Sequence, residues 1–334
     1  SSFIVLAMAP SWEWLAVGIM YQHAVLFYMP AMNAIMADSI PIGARGRIYA
    51  LTIAMPEAVR ILTPYIGGWL IAMMTLQPAM RLGYTMSFAI GMVVAYIRLH
   101  YLKETISNEE KVGRDVPKLF KEGYRNVFTS IRWVFNHLRG YAAISILLAT
   151  VGSIVMPFWV VYAKEVVGLS AYDWGVILLM GGVVKTAVSL IIGNLVDRMG
   201  PRKCMMIAFA LSIPAMALFT AATSFAQIVA IYVVLVVSSS FLWISSSVFL
   251  ADTIPRPIRG RVMAGIGQGM GVGVTGGGYS SGFLIFIPMS LGSLAGGFIY
   301  TINPAYPWLI QSVALGTALL LSFRLIHEPE KAEI

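Results

Sequence analysis

The sequence predicts an all-α, polytopic membrane protein built as two pseudo-symmetric helical bundles. Three observations predict it. Of the 334 residues, 58% are hydrophobic and 11% charged, with a mean hydropathy of +0.80. A water-soluble domain carries about a quarter charged residues, so this chain lacks the polar surface to face water. The apolar residues come in runs of about twenty, the length that crosses ~30 Å of hydrocarbon as helix. A polar phrase is also written twice between such runs. It reads ADSIPIGARGR at 37–47 and ADTIPRPIRGR at 251–261, with Ala, Asp, Ile, Pro, Arg, Gly and Arg at matching places.

Taken in order, the apolar runs are 13–37, 48–75, 82–102, 141–163, 171–196, 203–223, 226–250, 261–300 and 305–326. SSFIVLAMA at 1–9 reads as the tail of one more, giving nine full spans and part of a tenth. The offset of 214 residues from Asp38 to Asp252 also places Pro10-Ser11 near Ser224-Phe225, and further on IGGWLI (66–71) resembles AGGFIY (295–300). Parallel repeats follow, each expected to supply six spans, about twelve in an intact protein. Residues 1–102 are then an incomplete first bundle, running from the end of its third helix to its sixth. Residues 103–140 are a linker, and 141–334 the second bundle. The chain is thus expected to be N-terminally truncated.

The linker is the most charged stretch. Within it Val116, Leu119, Phe120, Val127, Phe128, Ile131, Val134 and Phe135 recur at helical spacing, while Lys118, Lys121, Glu122, Arg125 and Arg132 take the other faces. An amphipathic helix is expected there, on the leaflet surface or under the bundle. All of the 23 Lys and Arg except Arg60, Arg81, Lys164 and Lys185 fall on one alternating set of loops and ends. That asymmetry places the linker and C-terminus in the cytoplasm of a multi-pass cell-membrane protein. The net charge of +8 therefore orients the chain toward anionic lipid, and no nucleic-acid partner is expected. Cys204 is the only cysteine, and four scattered histidines match no ligand spacing. No metal, no cofactor and no enzymatic cluster is expected.

The segment Gly193-Asn-Leu-Val-Asp197-Arg198-Met-Gly200-Pro-Arg202-Lys203 resembles the G-x-L-x-D-R-x-G loop of the major facilitator superfamily. In that family it joins helices two and three, and again eight and nine. The P-x-x-x-R-G-R segments after Asp38 and Asp252 resemble the four–five and ten–eleven loops. The resemblance implies a cytoplasmic gate built from Asp38, Arg45, Arg47, Gly193, Asp197, Arg198, Gly200, Arg202, Asp252, Arg259 and Arg261. Asp197 would lie near the start of the helix beginning at Gly46, and Arg198 or Arg202 near Asp252.

Charges inside spans are costly and therefore informative. Glu57 and Arg60 are three residues apart, on one helix face. At helical rise Glu57 lies about 15 Å from Arg47, and Lys185 about 18 Å from Asp197. In the superfamily's arrangement helices five and eight adjoin, so Glu57, Arg60 and Lys185 are expected at a central cavity, for proton coupling or anion binding. A static Glu57–Arg60 pair is the structural alternative. Tyr21, Gln22, His23, Asn33 and Trp159 are candidates to line the cavity. Thr63-Pro-Tyr-Ile-Gly-Gly68 is similar to the exporters' G-P-x-x-G-G element, though Ile19 stands where exporters carry an Arg three residues before Gln22.

Gly271 to Gly276 matches G-x-G-x-x-G, but no strand precedes it, so no dinucleotide site is read there. Gly265, Gly269, Gly273 and Gly277 suit tight packing of membrane helices instead. The 261–300 run is too long for one span, and TGGGYSSG is expected to mark an unwound break.

The expected function is secondary active transport of a small solute by a monomer, with proton or ion coupling an option and export favoured over import. A uniporter or channel-like conduit for a small anion is the alternative, followed by a transport-silent sensor. With Cys204→Ser as background, Ser39→Cys and Thr253→Cys are expected to react with a membrane-impermeant thiol reagent from the same side. Reaction from opposite sides would overturn the parallel repeat.

Overall fold

The computed structural model describes residues 2–24, 45–101, 116–267, 269–273 and 282–327. They form helices and short connections, with no strand among the described residues. The chain divides into two units, 1–114 and 115–334. The first holds α1 (Ser2–Met8), α2 (Trp12–Ala24), α3 (Arg45–Met74) and α4 (Leu76–Tyr101). Here α1 packs on α2 and α4, and α3 packs on α4. Large apolar side chains such as Leu62, Trp69, Ile90, Tyr96 and Leu99 are exposed, as suits helices solvated by lipid tails rather than water.

The second unit opens with α5 (Val116–His137), the amphipathic helix expected from the linker. It clusters with the second unit, so the division falls between Arg114 and Asp115. α6 (Arg139–Val155) passes through a 3-10 turn at Met156–Phe158, where Pro157 cannot donate a helical bond, into α7 (Trp159–Glu165). α8 (Ala171–Met199) starts at a capping box. Ser170 Oγ accepts from the Asp173 amide at 3.1 Å, and Asp173 Oδ2 accepts from the Ser170 amide at 2.9 Å. α9 (Pro201–Phe219) carries Pro at its first position, where no donor is needed. α10 (Phe225–Thr253), α11 (Arg256–Ile266), α12 (Phe283–Ile302) and α13 (Tyr306–Leu325) complete the unit.

Among the described residues, seven helical stretches are long and apolar enough to cross a membrane. These are α4, α6–α7 taken together, the first nineteen residues of α8, α9, α10, α12 and α13. The overlong 261–300 run resolves into the short α11 and the span-length α12, and the described residues between them, 267, 269–273 and 282, are non-helical.

Small residues set how closely these helices approach. A Cβ at Gly292 of α12 would stand 2.1 Å from the Thr150 carbonyl oxygen, and one at Gly296 2.7 Å from that of Ile154. α12 therefore lies backbone-to-backbone on α6, as small-residue interfaces in membranes allow. Serines join α9 to α10: Ser238 Oγ donates to the Ala208 carbonyl at 2.6 Å and meets Ser212 Oγ. Trp159, Phe219, Tyr162 and Trp308 fill the core, with Trp159 and Trp308 edge to face at 5.7 Å.

Gly292→Ala is expected to cost about 1–3 kcal/mol, since the added methyl must move backbone atoms of α6. Gly297→Ala meets nothing within 4 Å and should be neutral or mildly stabilising, because Ala is the better helix former. Thermal unfolding in detergent checks the pair, and equal melting temperatures would deny the close contact.

Candidate functional site

The backbone between α11 and α12 leaves the helix inside the bundle. Gly267 has φ 96° and Gly273 φ 74°, values that a Cβ makes unfavourable. Between them the described residues are non-helical, yet Gly267, Gly269, Met270, Val272 and Gly273 are buried. The Gly267 amide still donates to the Met263 carbonyl at 2.7 Å; the peptide groups after it lie outside a helix, where water is scarce and an unsatisfied group costs several kcal/mol.

Side chains from three neighbouring elements supply the missing partners. The Met270 amide donates to Ser246 Oγ of α10 at 2.8 Å. Trp159 Nε1 of α7 donates to the Gly273 carbonyl at 3.0 Å. Gln311 Nε2 of α13 donates to the Val272 carbonyl. A small cavity lined by Ser145, Leu148, Ala149, Met270 and Ile285 adjoins the segment. The buried Tyr141 hydroxyl lies near enough to Ser145 and Ser246 to feel both, but without a well-formed hydrogen bond.

The loops with gate-like sequences are held by arginines on helix ends. Gly200, at φ 86°, turns the chain from α8 into α9. Arg202 then donates to the Phe323 carbonyl at 2.7 Å. Arg259 donates to the Ala251 carbonyl at 2.7 Å and to that of Ile254 at 3.1 Å. Both guanidinium groups thus meet carbonyls at helix C-termini, where a cation also opposes the helix dipole. Asp197, Arg198 and Arg261 are exposed, Asp252 is half-buried, and Gly193 has open space beside it. Asp38 lies outside the described residues, as do the side chains of Arg45 and Arg47.

Of the expected central charges, Glu57 and Arg60 lie on α3 of the first unit and Lys185 on α8 of the second. Arg60 is exposed; the Glu57 side chain lies outside the described residues. Lys185 is exposed although it shares a helix face with buried Gly181 and Ile192. Tyr21 is exposed and Gln22 half-buried; Asn33 and the His23 side chain lie outside the described residues.

Two expectations are corrected. Trp159 has 0% exposure and sits among Phe219, Tyr162 and Trp308, so its ring belongs to the core. Only its N–H has a polar task, on the Gly273 carbonyl. The glycines at every fourth residue do not form one helical stripe. Gly265 lies on α11, while Gly269 and Gly273 belong to the non-helical segment and Gly277 lies outside the described residues. The unwinding has begun by Gly267, ahead of the TGGGYSSG stretch, most of which lies outside the described residues. Gln311 was not singled out from the sequence, although a lone amide in the apolar 305–326 run is the signal that would have found it.

A family model described as Major Facilitator Superfamily matches residues 141–334. An uncharacterized MFS-type transporter, YcnB of Bacillus subtilis (strain 168), is 26% identical over 217 residues. The match covers 62% of this chain and 44% of that protein, so the chain spans less than half the length of this relative.

Trp159→Phe keeps the aromatic packing but leaves the Gly273 carbonyl without its donor, at an expected cost of about 1–3 kcal/mol. Hydrogen exchange of amides 269–273 should speed up in that variant and in Gln311→Leu. Unchanged exchange would mean that these two side chains do not hold the segment.

Proposed function

The chain belongs to the major facilitator superfamily, and from that membership we propose that it carries a small solute across a membrane by alternating access. It acts as a secondary active transporter, not as an enzyme. The observation that carries this reading is the buried, unwound segment at 267–273. Non-helical backbone at membrane depth is tolerated where it is enclosed by protein or lines a cavity, and broken helices recur at the binding sites of transporters.

Glu57, Arg60 and Lys185 are proposed as the coupling and substrate charges. The exposure of Lys185 on a face that otherwise packs supports a polar opening beside α8. Arg60 offers a planar fork for a carboxylate or phosphate, and Lys185 a point charge. Glu57 is the candidate proton carrier, as a carboxylate placed by sequence within a span. Tyr21, Gln22, His23 and Asn33 remain proposed cavity residues, and Trp159 is withdrawn from that group. Export is favoured on the exporter-like Thr63–Gly68 segment. The distribution of Lys and Arg supports a cytoplasmic linker and C-terminus.

The gate is proposed to act through Asp197 and Arg198, exposed at the end of α8 and free of the helix-capping duty that occupies Arg202 and Arg259. Asp197→Asn is expected to raise substrate leak without loss of folding.

Uptake into liposomes containing the purified chain, with and without a pH gradient, across sugars, organic anions and lipophilic cations, tests the whole reading. Glu57→Gln should abolish accumulation driven by the gradient while sparing downhill exchange. Full pH dependence in Glu57→Gln would end the proton role, and a conductance orders of magnitude above transporter turnover would make the protein a channel.

A further inference from the structure

The face that α5 leaves uncovered points to a second ligand, the bilayer surface itself. One side of α5 is committed to protein. Val134 is fully buried and Ser130 nearly so, and the Cβ position of Gly265 on α11 stands 3.7 Å from Ser130 Cβ and 3.8 Å from Ile131 Cγ1. The opposite side is not committed. Phe128 is 67% exposed and Phe135 42%, and the two stand seven residues apart, in line along the helix. Arg125 and Arg132 are exposed on the same side, within one turn of Phe128.

Two aromatic rings flanked by two guanidinium groups form a surface that water solvates poorly and that a protein core would have to neutralise. Across 116–137 the cations Lys118, Lys121, Arg125 and Arg132 face a single carboxylate, Glu122. The helix also ends where a span-length stretch begins. Leu138 is buried, Arg139 Nε donates to the Phe135 carbonyl at 2.9 Å, and Arg139 opens a stretch to Glu165 that is long and apolar enough to cross. α5 therefore stops at one end of a span-length stretch.

We infer that the Phe128–Phe135 face of α5 binds anionic phospholipid headgroups, with both rings dipping below the phosphates and Arg125 and Arg132 contacting them. Long cationic side chains beside apolar anchors match that boundary, where the stems lie among acyl carbons and the charges reach the phosphates. Because the other side of α5 grips α11, which ends at Gly267, lipid bound here bears on the helix that leads into the unwound segment.

Spin labels at Phe128→Cys and Phe135→Cys, each with Cys204→Ser, in vesicles of phosphatidylcholine with and without phosphatidylglycerol, test this. Accessibility to oxygen should exceed that to a water-soluble nickel chelate at both sites, and the excess should grow with phosphatidylglycerol. High salt, or Arg125→Gln with Arg132→Gln, should remove that growth. Both arginines are exposed, so the double variant should keep its melting temperature. Equal depth in the two lipids would overturn the inference. Labels shielded from both reagents would overturn it too, because the face would then be covered by protein, such as residues 1–114.

Discussion

A buried peptide group must find its hydrogen bonds inside the protein, and much of the second unit depends on that rule. Helices satisfy it by themselves, so the span-length elements need only lipid around them. The segment at 267–273 does not, and the neighbouring side chains follow from its need. Ser246, Trp159 and Gln311 come from three different helices, and each has a backbone atom of this segment as partner. The same rule governs the helix ends. Arg202 and Arg259 spend their guanidinium groups on carbonyls that α13 and α10 leave over.

Packing in this unit has a second origin. Lipid tails are as apolar as leucine, so burial alone does not draw such helices together. Close approach does, and it is secured by absent side chains at Gly292 and Gly296 and by serine bonds between α9 and α10. The aromatic group of Trp159, Phe219, Tyr162 and Trp308 then fixes the ends of α7, α9 and α13 against one another.

The sequence made the architecture legible where its signal is one-dimensional. Run length located the helices, and the period of the apolar residues located α5, whose buried Val134 and exposed Arg132 follow that pattern. Side-chain direction within a span was less legible. A helix that is apolar all round carries no periodic mark to tell core from lipid; a family resemblance places Trp159 on a cavity-facing helix but does not fix its ring, which is fully buried. The glycines after Gly265 were ambiguous for a different reason. The absent Cβ that lets two helices touch also lets the chain adopt positive φ, and spacing does not distinguish the two uses. Excess length announced that a break exists, whereas its starting point depends on Gly267, which looks like its neighbours in sequence.

The hydrogen bond from Gln311 to the Val272 carbonyl has a consequence for how the protein is made. The anchor lies on α13, 39 residues downstream of the carbonyl it serves, whereas Trp159 and Ser246 precede the segment. A ribosome feeding the chain into the bilayer from its N-terminus delivers the strand before that anchor exists. Until α13 emerges, the nascent bundle holds an amide stretch that is only partly satisfied. Emergence of α13, rather than insertion of the earlier helices, is thus the step that completes the hydrogen bonds of this segment.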